Sequence, residues 1–168
     1  MAASKLLKNF ALFVDGRGYA GECEELQPPA LSLTTEDFRA GGMDTSIPID
    51  MGMEKLEASF VMPMQDADLL AAFGVIENNG IQMTARGELK SLDGSSEAVT
   101  LQMRGTVIKI ESSAWKSGEL AKNTYTLGLN YYKREQGGKV LHEVDVLNMK
   151  RIANGVDQLE KARAAMGI

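Results

Sequence analysis

The chain of 168 residues holds one cysteine, one histidine, one tryptophan and four prolines, and each scarcity excludes something. A lone Cys23 rules out an intramolecular disulfide and suits a reducing compartment, with the thiol expected as a small strand residue. One cysteine and one histidine cannot supply the three or four ligands of a zinc site. His142 has no nucleophile or orienting partner suggested by the sequence, so it reads as a strand residue, not a catalytic base. The acidic pairs Glu24–Glu25 and Asp66–Asp68 read as solvated turns, not as a cation site. No metal ligand, cofactor site or catalytic residue is therefore assigned, and an enzyme has little support. A surplus of positive charge is missing too. The net charge is −5, which makes a poor grip for phosphate backbones. Long apolar runs are also absent, so neither a membrane anchor nor a signal segment is expected, and synthesis in the cytoplasm follows.

What the chain does have is alternation. Glu36 to Met62 dominates the pattern. Ile47, Ile49, Met51 and Met53 fall on one face of an extended segment, and the polar residues between them on the other. After Glu54–Lys55 the phase slips by one, to Leu56, Ala58, Phe60 and Met62, which marks a bulge or bend. Pro48 suits an edge or an arm, and Gly41–Gly42 marks a tight turn just before it. The reading is an assembly arm at about residues 40–54, comprising Gly41, Gly42, Met43, Ile47, Ile49, Met51 and Met53. Such an arm exposes apolar surface unless a neighbour covers it. Three of the ten methionines sit in it, and methionine adapts to irregular contacts.

The rest of the chain reads as one domain, residues 1–168, mainly β and antiparallel, a sandwich or barrel-like body with a short helix and a C-terminal helix. Residues 1–8 read as an arm or frayed end. Phe10 to Val14 and Tyr19 to Leu26 form a first hairpin through Asp15–Gly18. Asp66 caps a short helix that ends at Gly74. Strands at about 81–90 and 98–108 make a long hairpin with one apolar and one polar face. Tyr125, Leu127, Leu129 and Tyr131 share a face of the next strand, which turns into Val140 to Leu147. A helix is expected from Val156, with Leu159 and Met166 on its apolar side. These patterns leave two classes of function open: an assembly subunit, or a soluble β-barrel binding module.

Several stretches carry a resemblance. LKNFALFVDGRGYAGECEEL, FRAGGM with IDMGMEKLEA, SAWKSGE, LNYYK, EVDVLNM and RIANGVDQL run in order through nearly the whole chain. Together they resemble the tail tube proteins of contractile-tail bacteriophages, and the tubes of R-type pyocins are similar. The resemblance implies hexameric rings stacked into a hollow cylinder, with two hairpins per subunit completing a β-barrel across the ring. It implies a contractile sheath, a baseplate, a tape-measure protein and a tail terminator as partners, and DNA as non-specific cargo. It places the protein in the virion tail, assembled in the bacterial host cytoplasm. A headless contractile bacteriocin built on the same tube is the alternative.

Placed on that architecture, four strands have the pattern of a channel wall: 31–38 with 54–62, and 81–90 with 98–108. The expected lumen-facing residues are Glu57, Ser59, Thr84, Arg86, Glu88, Thr100, Gln102 and Arg104, joined by Ser32, Thr34, Glu36, Gln82 and Thr106. Three glutamates and two arginines give this wall a net charge of −1 per subunit.

Overall fold

The computed structural model describes residues 4–168, and within them the alternation resolves into twelve strands and two short α-helices. β1 (Leu6–Val14) turns at Asp15–Gly16 into β2 (Arg17–Tyr19), and β3 (Glu25–Gln27) follows. Leu6 to Lys8 thus belong to a strand, not to a frayed end, while residues 1–3 lie outside the described residues. The expected strand from Tyr19 to Leu26 is two pieces, because the chain turns at residues 20–22 with Gly21 at φ +77°. β4 (Leu33–Phe38) and β5 (Ile47–Met53) form a separate two-stranded sheet. β6 (Leu56–Met62) leads back into the body, and the break between β5 and β6 falls at Glu54–Lys55.

α1 (Ala67–Ala71) starts where the Asp66 carboxylate accepts from the backbone N–H groups of Asp68 and Leu69, satisfying donors the helix cannot pair itself. Then come β7 (Ile81–Lys90), β8 (Ser96–Ser112), β9 (Asn123–Gln136), β10 (Lys139–Asp145), β11 (Lys150–Ala153), β12 (Val156–Asp157) and α2 (Glu160–Met166). The C-terminal helix begins later than Val156. Val156 pairs with Ala153, and the Asp157 carboxylate accepts from the N–H of Leu159 and pairs with Arg163, so the turn before α2 is fixed by polar contacts.

The sheet runs β12-β11-β10-β9-β8-β7-β1-β2, and β9 forks along one edge. Its first half, Asn123–Leu129, pairs with β6, which carries β3; its second half pairs with β10. One face of this curled sheet is the core. Leu12, Ala58, Phe60, Met62, Met83, Met103, Val107, Tyr125 and Leu127 are almost wholly buried there. The rings of Phe60 and Tyr125 stack 4.8 Å apart, a contact that adds to simple burial. Tyr131 does not follow Tyr125, Leu127 and Leu129 inward. The β8–β9 register shifts between Arg104 and Gly105, so Asn130 is an extra residue. A bulge of one residue exchanges the faces, and Tyr132 is the buried tyrosine instead.

Candidate functional site

Two surfaces stand out, and both arise from alternation. The first is the β4–β5 hairpin. Its turn closes with the N–H of Met43 donating to the carbonyl of Ala40, and Gly42 sits at φ +89°, a conformation that disfavours a Cβ. Phe38 faces Ile47 and Glu36 faces Ile49, so these four share one face, with Met51 in phase. Phe38, Ile47, Ile49 and Met51 are each between 43% and 56% exposed, a continuous apolar strip with no cover.

Met53 does not belong to that strip. The register shifts between Leu33 and Thr35, placing one extra residue in β5, and Gly52 takes φ +111° while its N–H donates to the Asp50 side chain. This bulge turns Met53 to the side of Asp50 and Leu33, where the three line a groove with Val144 and Arg151 of the body. Met53 packs partly against the core. Asp50 is held by Arg151, whose hydrogen bond keeps this carboxyl below its ordinary range. The hairpin therefore has a body side and a free side, and the apolar alternation changes sides at Gly52.

The second surface is the outer face of the main sheet. Thr84 lies opposite Gln102, Arg86 opposite Thr100, and Gln82 opposite Arg104; Glu88 continues the row. These side chains are exposed or half-buried, while Met83, Ala85, Leu101 and Met103 between them are buried. The structure thus brings Thr84, Arg86, Glu88, Thr100, Gln102 and Arg104 together. Glu57 and Ser59 lie elsewhere on the sheet. They sit on β6, opposite Gly128 and Thr126 of β9, and Glu57 pairs with Lys55 at 2.7 Å. Ser32, Thr34 and Glu36 are not in this sheet at all, because β4 pairs with β5 and not with β6. The pairing of 31–38 with 54–62 is corrected accordingly: the local pattern marks both strands but does not name their partners.

The outer face extends instead onto β9 and β10. Lys133 lies opposite Gln102, Glu135 opposite Thr100, and Glu143 opposite Lys133. Sequence reasoning missed these three; their phase becomes readable only once the extra residue at Asn130 is known. Arg86 stacks over Phe13 and Arg104 over Tyr131, with 5.6 and 5.3 Å from guanidinium to ring centroid. Tyr131 donates to Glu143 at 3.0 Å, and burial together with this neighbour pushes its phenol up to about 12. Hydrogen bonds from Ser96 and Asn9 hold the Glu88 carboxyl low. The face carries Arg86, Lys90, Arg104 and Lys133 among Glu88, Glu135 and Glu143, so acidic and basic side chains interleave across it.

Other expectations resolve locally. Cys23 lies in the bend before β3, half-buried, and burial pushes its thiol up to about 11, which leaves little thiolate at neutral pH. Asp66 caps α1, Asp68 pairs with Arg17, and Glu24 pairs with Lys122. His142 stands opposite Arg134 and Ala153 in the sheet.

Comparison with known proteins agrees over the full length. The model of the phage tail tube protein FII family matches residues 4–167. The tail tube protein of Escherichia phage P2 is 30% identical over 175 residues, covering 100% of both chains. The major tail tube protein of Serratia phage KSP20 is 31% identical over 150 residues, covering 88% of this chain and 86% of that one. Among solved structures, a chain in the 6-fold symmetrised baseplate of the anti-feeding prophage has the same fold, with a TM-score of 0.58 at 12% identity over 83% of this chain and 99% of that one.

Proposed function

Because the chain belongs to the phage tail tube protein FII family and is a structural component of the virion tail, not an enzyme, we propose that it closes into hexameric rings that stack as the inner conduit of a contractile tail. The observation that carries this is the uncovered strip Phe38, Ile47, Ile49 and Met51 on a hairpin whose other side is tied to the body. An isolated subunit leaves that strip in water; a stacked neighbour removes it. The sheet also has an edge to offer. β2 covers only Leu12–Val14 of β1, so among the described residues the stretch from Leu6 to Ala11 keeps one open side. Pairing edges between subunits around a ring eliminates such sides, and contacts that repeat along an axis without closing generate a tube.

In this reading Thr84, Arg86, Glu88, Thr100, Gln102 and Arg104 face the channel, and Glu57 and Ser59 lie nearer its rim. A polar wall on which acidic and basic side chains interleave gives DNA no continuous basic track, so DNA passes as cargo. The hairpin from Leu33 to Met53 is the inter-subunit arm. Sheath, baseplate, tape-measure and terminator proteins are the partners, and assembly takes place in the cytoplasm of the bacterial host.

Electron microscopy of the purified protein tests the assembly: rings or hollow tubes are expected, and a strictly monomeric particle at high concentration would refute it. Labelling tests the wall. Cysteines at Thr84 and Gln102 in a Cys23→Ser background should react with a bulky thiol reagent in free subunits and be protected in tubes. Equal labelling in both states would move the lumen to another face.

A further inference from the structure

The arm needs a place to land, and one feature of the body is unfinished without an occupant. At the end of the core where β7 ends and β8 begins, a cavity of about 180 Å³ opens between Leu7, Phe10, Leu26, Leu89 and Val99. Its lining is apolar except for two arginines: Arg86, whose guanidinium stacks over Phe13 on the outer face, and Arg134, a β9 residue opposite Leu101. The extra residue at Asn130 sets this phase: it turns Tyr132 and then Arg134 to the inner side of the sheet. The Arg134 Nε is buried and has no hydrogen-bond partner, and the rest of the guanidinium meets neutral side chains, Gln136 at 3.4 Å and the Tyr132 hydroxyl. No carboxylate among the described residues pairs with it within 4 Å, whereas other inward-reaching arginines, Arg151 and Arg163, each hold an aspartate. A cation left this way in an apolar mouth is costly unless a carboxylate arrives to meet it.

The arm carries the complement. Its free face sets Glu36 beside Phe38, Ile47, Ile49 and Met51. Glu36 and Phe38 are two residues apart on one strand face, about 7 Å, so a carboxylate and a large apolar group arrive together. Glu36 has no cation within 4 Å among the described residues. In another exposed apolar and acidic segment, the loop with Trp115, Glu119 and Leu120, the carboxylate is paired at 3.6 Å with Lys116 of the same loop. The apolar mouth is held open to an incoming chain at Gly87, where a Cβ would come within 2.8 Å of Leu7 and 2.9 Å of Val99.

We propose that this mouth receives the arm of a second copy of the chain, with Glu36 of one copy set against Arg134 of the other and Phe38 among the apolar lining. The pairing rests on the tube reading and supplies its acceptor. It turns two unpaired charges into one desolvated ion pair inside a ring of apolar contacts, an arrangement that discriminates between docked and misdocked subunits.

A charge exchange tests it in the full-length protein, read as the pelletable fraction and as tubes in the microscope. Glu36→Arg and Arg134→Glu should each reduce tubes at least about tenfold, since each places like charges in contact. The two substitutions combined should restore at least half of the wild-type yield. Circular dichroism melts establish that each variant subunit is folded. Should R134E fail that control, a crosslink decides: in a Cys23→Ser background, Phe38→Cys with Leu7→Cys should give a ladder of linked subunits on oxidation of the assembled fraction. Tubes from E36R at the wild-type level, no recovery in the double variant of folded subunits, or an assembled fraction without a ladder would each overturn the pairing. Absence of tubes from the wild-type protein would overturn the tube reading itself, and the pairing with it.

Discussion

The β7–β8 hairpin and the β4–β5 hairpin are written in the same alternating code, yet one is finished and the other is not. On β8, Met103 is 1% exposed; on β5, Met51 is 56% exposed. Both are methionines at apolar positions of a period-two strand. The difference lies in what stands across from them. β7–β8 has β1 and β9 on its flanks and β6 closing the core, whereas β4–β5 has each other and the Asp50–Arg151 clasp. Alternation announces that a face will be covered, and says nothing of whether the cover comes from the same chain.

That contrast can be broken most severely at the free face of the arm. Ile49→Asp with Met51→Asp should abolish tubes while leaving the melting temperature of the free subunit within a few degrees, since exposed substitutions change stability little. Normal tubes, or an unfolded subunit, would mean that the strip is not an interface or not free. Met53 is unsuited to this test, because it already packs against the core. A second comparison removes the same atoms from each hairpin. Met103→Ala should cost about 2–5 kcal/mol in denaturant unfolding through the cavity it leaves, and Met51→Ala about 0.5 kcal/mol or less. Similar losses at both would erase the distinction drawn here.

The smallest effect concerns the clasp. The Asp50 carboxyl is held low by Arg151. A depressed pKa means that the contact contributes above the unfolded value of about 3.9 and is lost as pH falls through the folded one. The amide resonances of Gly52 and Met53 should therefore titrate with a midpoint below that of a free aspartate. In Arg151→Met the midpoint should rise towards that of a free aspartate, with the Gly52 N–H alone left to hold it low. An unchanged midpoint would remove Arg151 from the clasp.

Much of the body is legible in the sequence because its strands are long and strictly two-faced. Ile81 to Lys90 and its partner strand, the Asp66 cap, and the buried set Leu56, Ala58, Phe60 and Met62 all follow from period and capping chemistry. What escaped does so for physical reasons. Leu33 to Phe38 alternates equally well for either neighbour, so its partner β5 was not readable. Single extra residues at Gly52 and Asn130 exchange the faces downstream of them, which moved Met53 and Tyr131 to the opposite sides. Arg134 was invisible for the same reason: only past the bulge does its phase point inward. Val156 reads as helix by spacing, but the polar contacts of Asp157 place a strand there first.

The clasped arm has a further consequence in the crowded pool of free subunits. From residue 31 to residue 54 it bears Glu36, Asp37, Asp44, Asp50 and Glu54 against Arg39, a net −4 out of the chain's −5. Two subunits that meet arm to arm therefore repel across a field reaching about 8 Å at physiological ionic strength. The apolar strip of the arm is wrapped in its own like-charge shield, which opposes chance encounters before apolar contact is made. Only a surface that presents a cation where the carboxylate arrives cancels the shield. On the proposed docking of the arm, growth favours addition to an end already built over spontaneous nucleation in solution.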